Sequence, residues 1–135
     1  MTYPKIIVII PAYNEAQSIG LVIAEIPSVV SEVIVVNNRS TDETVAVAKK
    51  AGATVITENQ MGYGHACLKG MGYVAGLEVP PDIIVFLDGD YSDYPEELLN
   101  LVTPIIEEDL DFVVGARKKA LREAGSMTPQ QVFGN

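Results

Sequence analysis

The chain has 135 residues, 48% of them hydrophobic and 20% charged, which suits one folded domain with a sizeable core and excludes a disordered chain. Nine Lys and Arg against eighteen Asp and Glu leave a net charge of −9, which excludes a general nucleic-acid binder with its basic face. One cysteine, Cys67, and one histidine, His65, can build neither a disulfide nor a Cys/His zinc site, so any metal here is held by oxygen.

Apolar blocks recur along the chain at Ile6–Ile10, Val33–Val36, Thr54–Ile56, Ile83–Leu87 and Phe112–Val114. They are rich in Ile and Val and continuous rather than alternating, as parallel strands covered on both faces require. The longest are far too short to span a membrane, and no basic-then-apolar leader opens the chain, so the cytoplasm is the expected compartment. Between the blocks lie helical stretches. Ile19, Val22, Ile23 and Ile26 have helical spacing, with Asn14 as the expected N-cap and Pro27 as the stop. Ser40 and Glu43 have the spacing of a capping box for a second helix running to Lys50. Gly64 to Leu77 forms a third, weakened by Gly70, Gly72 and Gly76. Pro95 suits the first position of a fourth, with Leu98, Leu99, Val102 and Ile105 on one face and Pro104 ending it early. Strands alternating with helices predict an α/β, Rossmann-like open and mostly parallel sheet with helices on both faces. In such sheets ligands bind outside the carboxyl ends of the strands, so the informative residues follow each block.

After the first block comes Pro11-Ala12-Tyr13-Asn14-Glu15, with neither the glycine-rich turn of a dinucleotide fold nor the acidic pair of a receiver domain. A plain loop with a helix cap would account for Asn14, but not for Tyr13 and Glu15 beside it. Asn37-Asn38-Arg39-Ser40-Thr41-Asp42 follows the second block and suits either a nucleotide's polar edges or a hydrophilic loop with a good cap. Gly62-Tyr63-Gly64 follows the third and could bring backbone N–H groups near phosphate, but Cys67 stands where a dinucleotide fingerprint needs its last small residue. His65 and Cys67 have no nucleophile–base partner nearby in sequence and read as helix residues. Asp88-Gly89-Asp90 follows the fourth block and is the sharpest local signal. Two carboxylates spaced by one small residue at the tip of a buried strand can face one hard cation, Mn²⁺ or Mg²⁺. Asp93, Glu96 and Glu97 either extend that negative field or form the acidic first turn of a helix.

Taken in order, these pieces resemble the family 2 glycosyltransferases with the GT-A fold. The matching residues are Val8 to Glu15, Val33 to Val36 with Ser40 to Asp42, Gly62 to Ala66, Phe86 to Asp90 with Pro95 and Glu96, and Val113 to Arg117. The Gly-Tyr-Gly segment and the stretch from Gly125 to Gln131 are most similar to the bacterial polyprenyl-phosphate and lipid-linked branch. The resemblance implies a nucleotide-sugar-binding subdomain over residues 1–117 and a basic tail over 118–135. It implies that Pro11, Ala12, Tyr13 and Glu15 line the base and ribose pocket and that Asn37 faces the base. Asp88 and Asp90, around Gly89, would hold Mn²⁺ or Mg²⁺ against the donor diphosphate, with Ser92 a further oxygen ligand. The expected reaction is inverting transfer from a UDP- or GDP-sugar to a sugar or polyprenyl-phosphate acceptor.

Two departures from the family pattern bear on this. The family usually carries Asp where this chain has Asn37; an amide oxygen in place of a carboxylate weakens a bond to the base by about 1 kcal/mol, roughly five-fold in affinity. Family members also run well past this length, so the acceptor site and the catalytic base are expected outside the chain, which reads as truncated or as an isolated donor-binding half. A non-catalytic nucleotide-binding module is the competing reading; a sugar-nucleotide pyrophosphorylase would need a glycine-rich, basic loop where Pro11–Glu15 stands. An apolar face left open by a missing half would drive self-association as a homo-oligomer. Residues 1–115 carry five positive and seventeen negative side chains, whereas residues 116–135 carry four positive, Arg117, Lys118, Lys119 and Arg122, and one negative. That cluster predicts at most weak, salt-sensitive peripheral contact with anionic membrane, at the inner face in a full-length protein.

Overall fold

A computed structural model describes residues 4–90 and 113–115. In chain order it contains β1 (Ile6–Ala12), α1 (Ile19–Ala24), β2 (Glu32–Asn37), α2 (Thr44–Lys50), β3 (Thr54–Thr57), α3 (Tyr63–Ala75), β4 (Ile83–Phe86) and β5 (Val113–Gly115). The strands form one sheet in the order β3-β2-β1-β4-β5, and every pairing is parallel. Each of the five apolar blocks contributes a strand to the sheet, the last through Val113 and Val114. Leu87, just past β4, continues the ladder by donating its N–H to the Ile9 carbonyl at 3.1 Å. Phe112, the helix expected after Pro95 and the basic tail lie outside the described residues.

The continuous apolar runs follow from this topology. Side chains alternate across a strand, and both sides of β1 are covered. Ile6, Val8 and Ile10 pack with Ile19, Val22 and Ile23 of α1 and Ala48 of α2. Ile7 and Ile9 pack on the opposite face with Ala66, Cys67 and Val74 of α3 and Phe86 of β4. The five residues Ile6 to Ile10 are each 0% exposed, so no polar residue is tolerated at either parity.

The chain steps outward from β1 to β2 to β3 and then returns past β1 to β4. Right-handed crossovers in opposite directions put α1 and α2 on one face and α3 on the other. The direction reverses between β1 and β4, and that switch point opens a crevice at their carboxyl ends.

Two expected helix caps are corrected. Asn14 does not cap α1: it adopts φ 52°, and its Oδ1 accepts the Thr41 N–H at 2.8 Å, while α1 begins after a turn with Ser18 at its cap position. Ser40 and Glu43 form no capping box either. The Ser40 hydroxyl accepts the Asn14 N–H at 2.9 Å, and the Thr44 N–H at the start of α2 donates to Asp42 Oδ1 at 2.9 Å. In both cases a tertiary bond across the two loops takes the side chain that local spacing assigned to its own helix.

The glycines of α3 have unlike roles. A Cβ at Gly70 would stand 2.6 Å from Ile9 Cγ2 and 3.3 Å from Val36 Cγ2, so this glycine lets the helix lie close on the sheet. A Cβ at Gly72 would meet nothing within 4 Å among the described residues.

Candidate functional site

A cavity of about 220 Å³ opens at the switch point, lined by Pro11, Ala12, Tyr13 and Glu15 from the end of β1, Asp88, Gly89 and Asp90 from the end of β4, and Asn38, Tyr63 and Ala66 opposite them. Seven of the eight residues singled out from the sequence thus converge on one space. Asn37 is the exception. It ends β2 opposite Ala12, is 8% exposed, and its Oδ1 accepts the Ser40 N–H at 3.0 Å. It supports the β2 loop from behind, and its neighbour Asn38 lines the cavity.

The wall after β1 is built by two interlocked loops. The Glu15 N–H donates to Thr44 Oγ1 at 2.8 Å, and the Ala16 N–H donates to Asp42 Oδ2 at 3.2 Å. Together with the reciprocal Asn14–Ser40 and Asn14–Thr41 bonds, they turn Tyr13 and Glu15 toward the crevice. Ser40, Thr41, Asp42 and Thr44 therefore shape the site without lining it; sequence reading weighed the first three for a nucleotide's edges and did not single out Thr44. Thr44 is fully buried. The hydroxyl and N–H of Thr44 hold the Asp42 carboxyl below its ordinary value.

At the β4 end, Gly89 sits tightly between the two aspartates. The Ser18 hydroxyl donates to its carbonyl at 2.6 Å, and a Cβ there would stand 3.2 Å from Ile19 Cδ1 and 3.3 Å from Glu15 Cγ. The carboxylates share one negative field. Burial chiefly, then the charges of Asp90, Asp88 and Asp42, push the Glu15 carboxyl above its ordinary value against the lowering effect of Ser18. Asp88 and Asp90 are oxygen donors of the type hard divalent cations prefer, with room beside them for oxygens of a ligand. Among the described residues, no group of three or more His, Cys, Asp or Glu forms a closed metal cage. The residues present fit a cation shared with a ligand. Ser92, Asp93, Glu96 and Glu97 lie outside the described residues.

The opposite wall comes from the loop after β3 and the first turn of α3. Asn38, 5% exposed, bonds that loop with its carboxamide, and Tyr63 and Ala66 project from successive turns of the helix. Tyr13 and Tyr63 are both half-exposed at the cavity, at 48% and 45%. Sequence reading noted the segments that hold Asn38, Tyr63 and Ala66 but did not assign these three to the pocket. The Gly-Tyr-Gly segment was a signal for Tyr63, and strand alternation, which sends Asn37 and Asn38 to opposite sides, was one for Asn38. No helix among the described residues is long and apolar enough to cross a membrane.

Comparison with known proteins agrees with this architecture. A dolichyl-phosphate hexose transferase of Haloferax volcanii is 35% identical over 120 residues, covering 86% of this chain and 49% of that protein. Protein RfbJ of Shigella flexneri is 34% identical over 117 residues, covering 85% of this chain and 87% of its own length. The crystal structure of glucosyl-3-phosphoglycerate synthase from Mycobacterium tuberculosis, in complex with Mn²⁺, UDP-glucose and phosphoglyceric acid, superposes with a TM-score of 0.66 at 30% identity, covering 76% of this chain and 39% of that one. The chain spans about half the length of several curated relatives that it matches. The family model described as glycosyl transferase family 2 matches residues 7–134, nearly the whole chain. With its parallel sheet, its switch-point cavity and this match, the chain belongs to glycosyl transferase family 2.

Proposed function

We propose that the chain binds a UDP- or GDP-sugar at the switch-point cavity and serves its transfer, with inversion, to a phosphate-bearing acceptor. The observation that carries this reading is the convergence of Pro11–Glu15 and Asp88–Asp90 on one cavity at the carboxyl ends of adjacent strands. Pro11, Ala12, Tyr13 and Glu15 would line the base and ribose. Asp88 and Asp90 would hold Mn²⁺ or Mg²⁺ against the diphosphate. A cation bound there would supply positive charge opposite the departing nucleoside diphosphate. An acceptor oxygen would then bond to the anomeric carbon on the face opposite the breaking carbon–oxygen bond. Support for a phosphate-bearing acceptor comes from two relatives whose names carry dolichyl phosphate and phosphoglycerate. A polyprenyl phosphate is the acceptor that the sequence resemblance favours.

Calorimetric titration of UDP and GDP with and without Mn²⁺ tests the donor site. Binding should strengthen on adding Mn²⁺ and weaken at least tenfold in Asp90→Ala, the scale of a lost charge-assisted contact. Affinities that ignore both Mn²⁺ and Asp90 would sink the metal role. Release of free sugar from the donor separates a transferase from a module that binds without turnover.

A further inference from the structure

Asn38 lines the cavity, yet its side chain hydrogen-bonds to backbone. Its Nδ2 donates to the carbonyls of Glu58 at 2.9 Å and Gln60 at 3.0 Å, and its Oδ1 accepts the N–H of Gly62 at 2.9 Å. One buried carboxamide thus gathers three groups from the loop after β3. Gly62 has φ 131°, a conformation that L side chains rarely adopt, and the next residue, Tyr63, opens α3. The Gly62 carbonyl in turn accepts the Ala66 N–H at 3.1 Å. Hence the atoms that Asn38 holds lie one residue from Tyr63 and one turn from Ala66, the two helix residues of the cavity wall.

We propose that Asn38 is a positioning residue that sets this wall: by fixing Gly62 it fixes where the Tyr63 ring and the first turn of α3 stand across from Asp88–Asp90, and so how closely the cavity fits a nucleoside diphosphate. The identity of that ligand rests on the donor reading above; the positioning role does not. The chemistry requires a side chain with both donors and an acceptor at this reach. Aspartate keeps the acceptor for Gly62 but turns a carboxylate onto two carbonyl oxygens, alanine keeps neither, and glutamine is one methylene too long.

The test uses the full chain with two independent readings, hydrogen exchange at the Gly62 amide by NMR and calorimetric affinity for UDP and GDP with Mn²⁺. In Asn38→Ala, Gly62 exchange should accelerate about tenfold or more as its acceptor is lost, while the Val35 amide of β2 stays unchanged, which separates strut loss from unfolding. Asn38→Asp should retain the slow Gly62 exchange. Nucleoside diphosphate affinity should fall about tenfold in Asn38→Ala and also in Tyr63→Ala, whose Gly62 amide stays protected. If Asn38→Ala does not fold, Asn38→Asp decides: the retained acceptor should keep the Gly62 amide protected, and fast Gly62 exchange in that variant would overturn the proposal. Unchanged Gly62 exchange in Asn38→Ala would overturn the proposal, and so would unchanged affinity beside a weakened Tyr63→Ala. Failure of the wild type to bind either nucleotide would instead refute the donor reading. The strut is then judged by exchange and by Tyr63→Trp fluorescence, since the chain contains no other tryptophan. Adding Asn38→Ala to that variant should raise acrylamide quenching of the indole about twofold if the ring loses its fixed place, and no rise would overturn the positioning role.

Discussion

The two walls of the cavity are held in opposite ways. On the β1 side, the turn at Tyr13–Ala16 is tied by Ser40, Thr41, Asp42 and Thr44, each contributing its own hydrogen bond. On the α3 side, one carboxamide, that of Asn38, gathers the loop, and one close approach, at Gly70, sets the helix on the sheet. A distributed net loses its shape gradually as bonds are removed. A wall whose loop depends on one side chain is more sensitive to a single substitution, although Ala66, Cys67 and Val74 also pack α3 on the sheet.

The largest effect should come from Gly70→Ala. Its methyl would enter the space of fully buried Ile9, so the variant should lose about 1–3 kcal/mol in chemical denaturation, the usual cost of overpacking. Wild-type stability there would show that α3 can step back freely. Thr44→Val probes the net. It removes the hydroxyl that accepts the Glu15 N–H from a fully buried site, and about 1–2 kcal/mol should be lost by the same measurement. A much larger loss would mean that the net is as concentrated as the opposite wall. Gly72→Ala should act in the other direction. With open space around its Cβ and a helical backbone, it should stabilise the chain by about 0.5–1 kcal/mol, and destabilisation would place an unseen neighbour against that helix face.

The smallest effect concerns Glu15 and is visible only as pH dependence. A carboxyl whose folded pKa is raised leaves the fold most stable below its unfolded value and costs stability as pH rises through the raised one. Glu15→Gln should therefore melt higher than wild type at pH 7 in metal-free buffer, with the difference closing once the pH falls well below the ordinary glutamate value of 4.5. A difference that persists at acid pH would trace to packing rather than to burial of the charge and the field of Asp90 and Asp88. Asp42 has the opposite sign: its lowered pKa contributes stability that is lost as pH falls through it.

Most of the sheet and much of the cavity are legible in the sequence. The apolar blocks marked the strands because parallel strands covered twice admit no polar parity, and the residues just beyond Ile10 and Leu87 marked the cavity because strand tips face the ligand side. The two helix caps were misread for a common reason. Ser, Asp and Asn cap whichever N–H is nearest in space, and at Asn14 and Ser40 that N–H belongs to the other loop. The difference between Asn37 and Asn38 escaped for a similar reason. Asn37 turns to Ser40, three residues on in its own loop, whereas Asn38 turns to the loop after β3, which stands within reach only once β3 is paired with β2.

Sequence alone determined the α/β class, the parallel sheet and the acidic character of the ligand edge, because burial pattern and charge are properties of residue order. Tertiary structure decided which polar side chains line the cavity and which merely hold its walls. Hydrogen bonds between loops separated by more than twenty residues, such as Asn14 with Thr41 and Asn38 with Gly62, exist only after the strands have placed those loops side by side. Local propensity carries no term for such contacts, and their directionality assigns each side chain to one role.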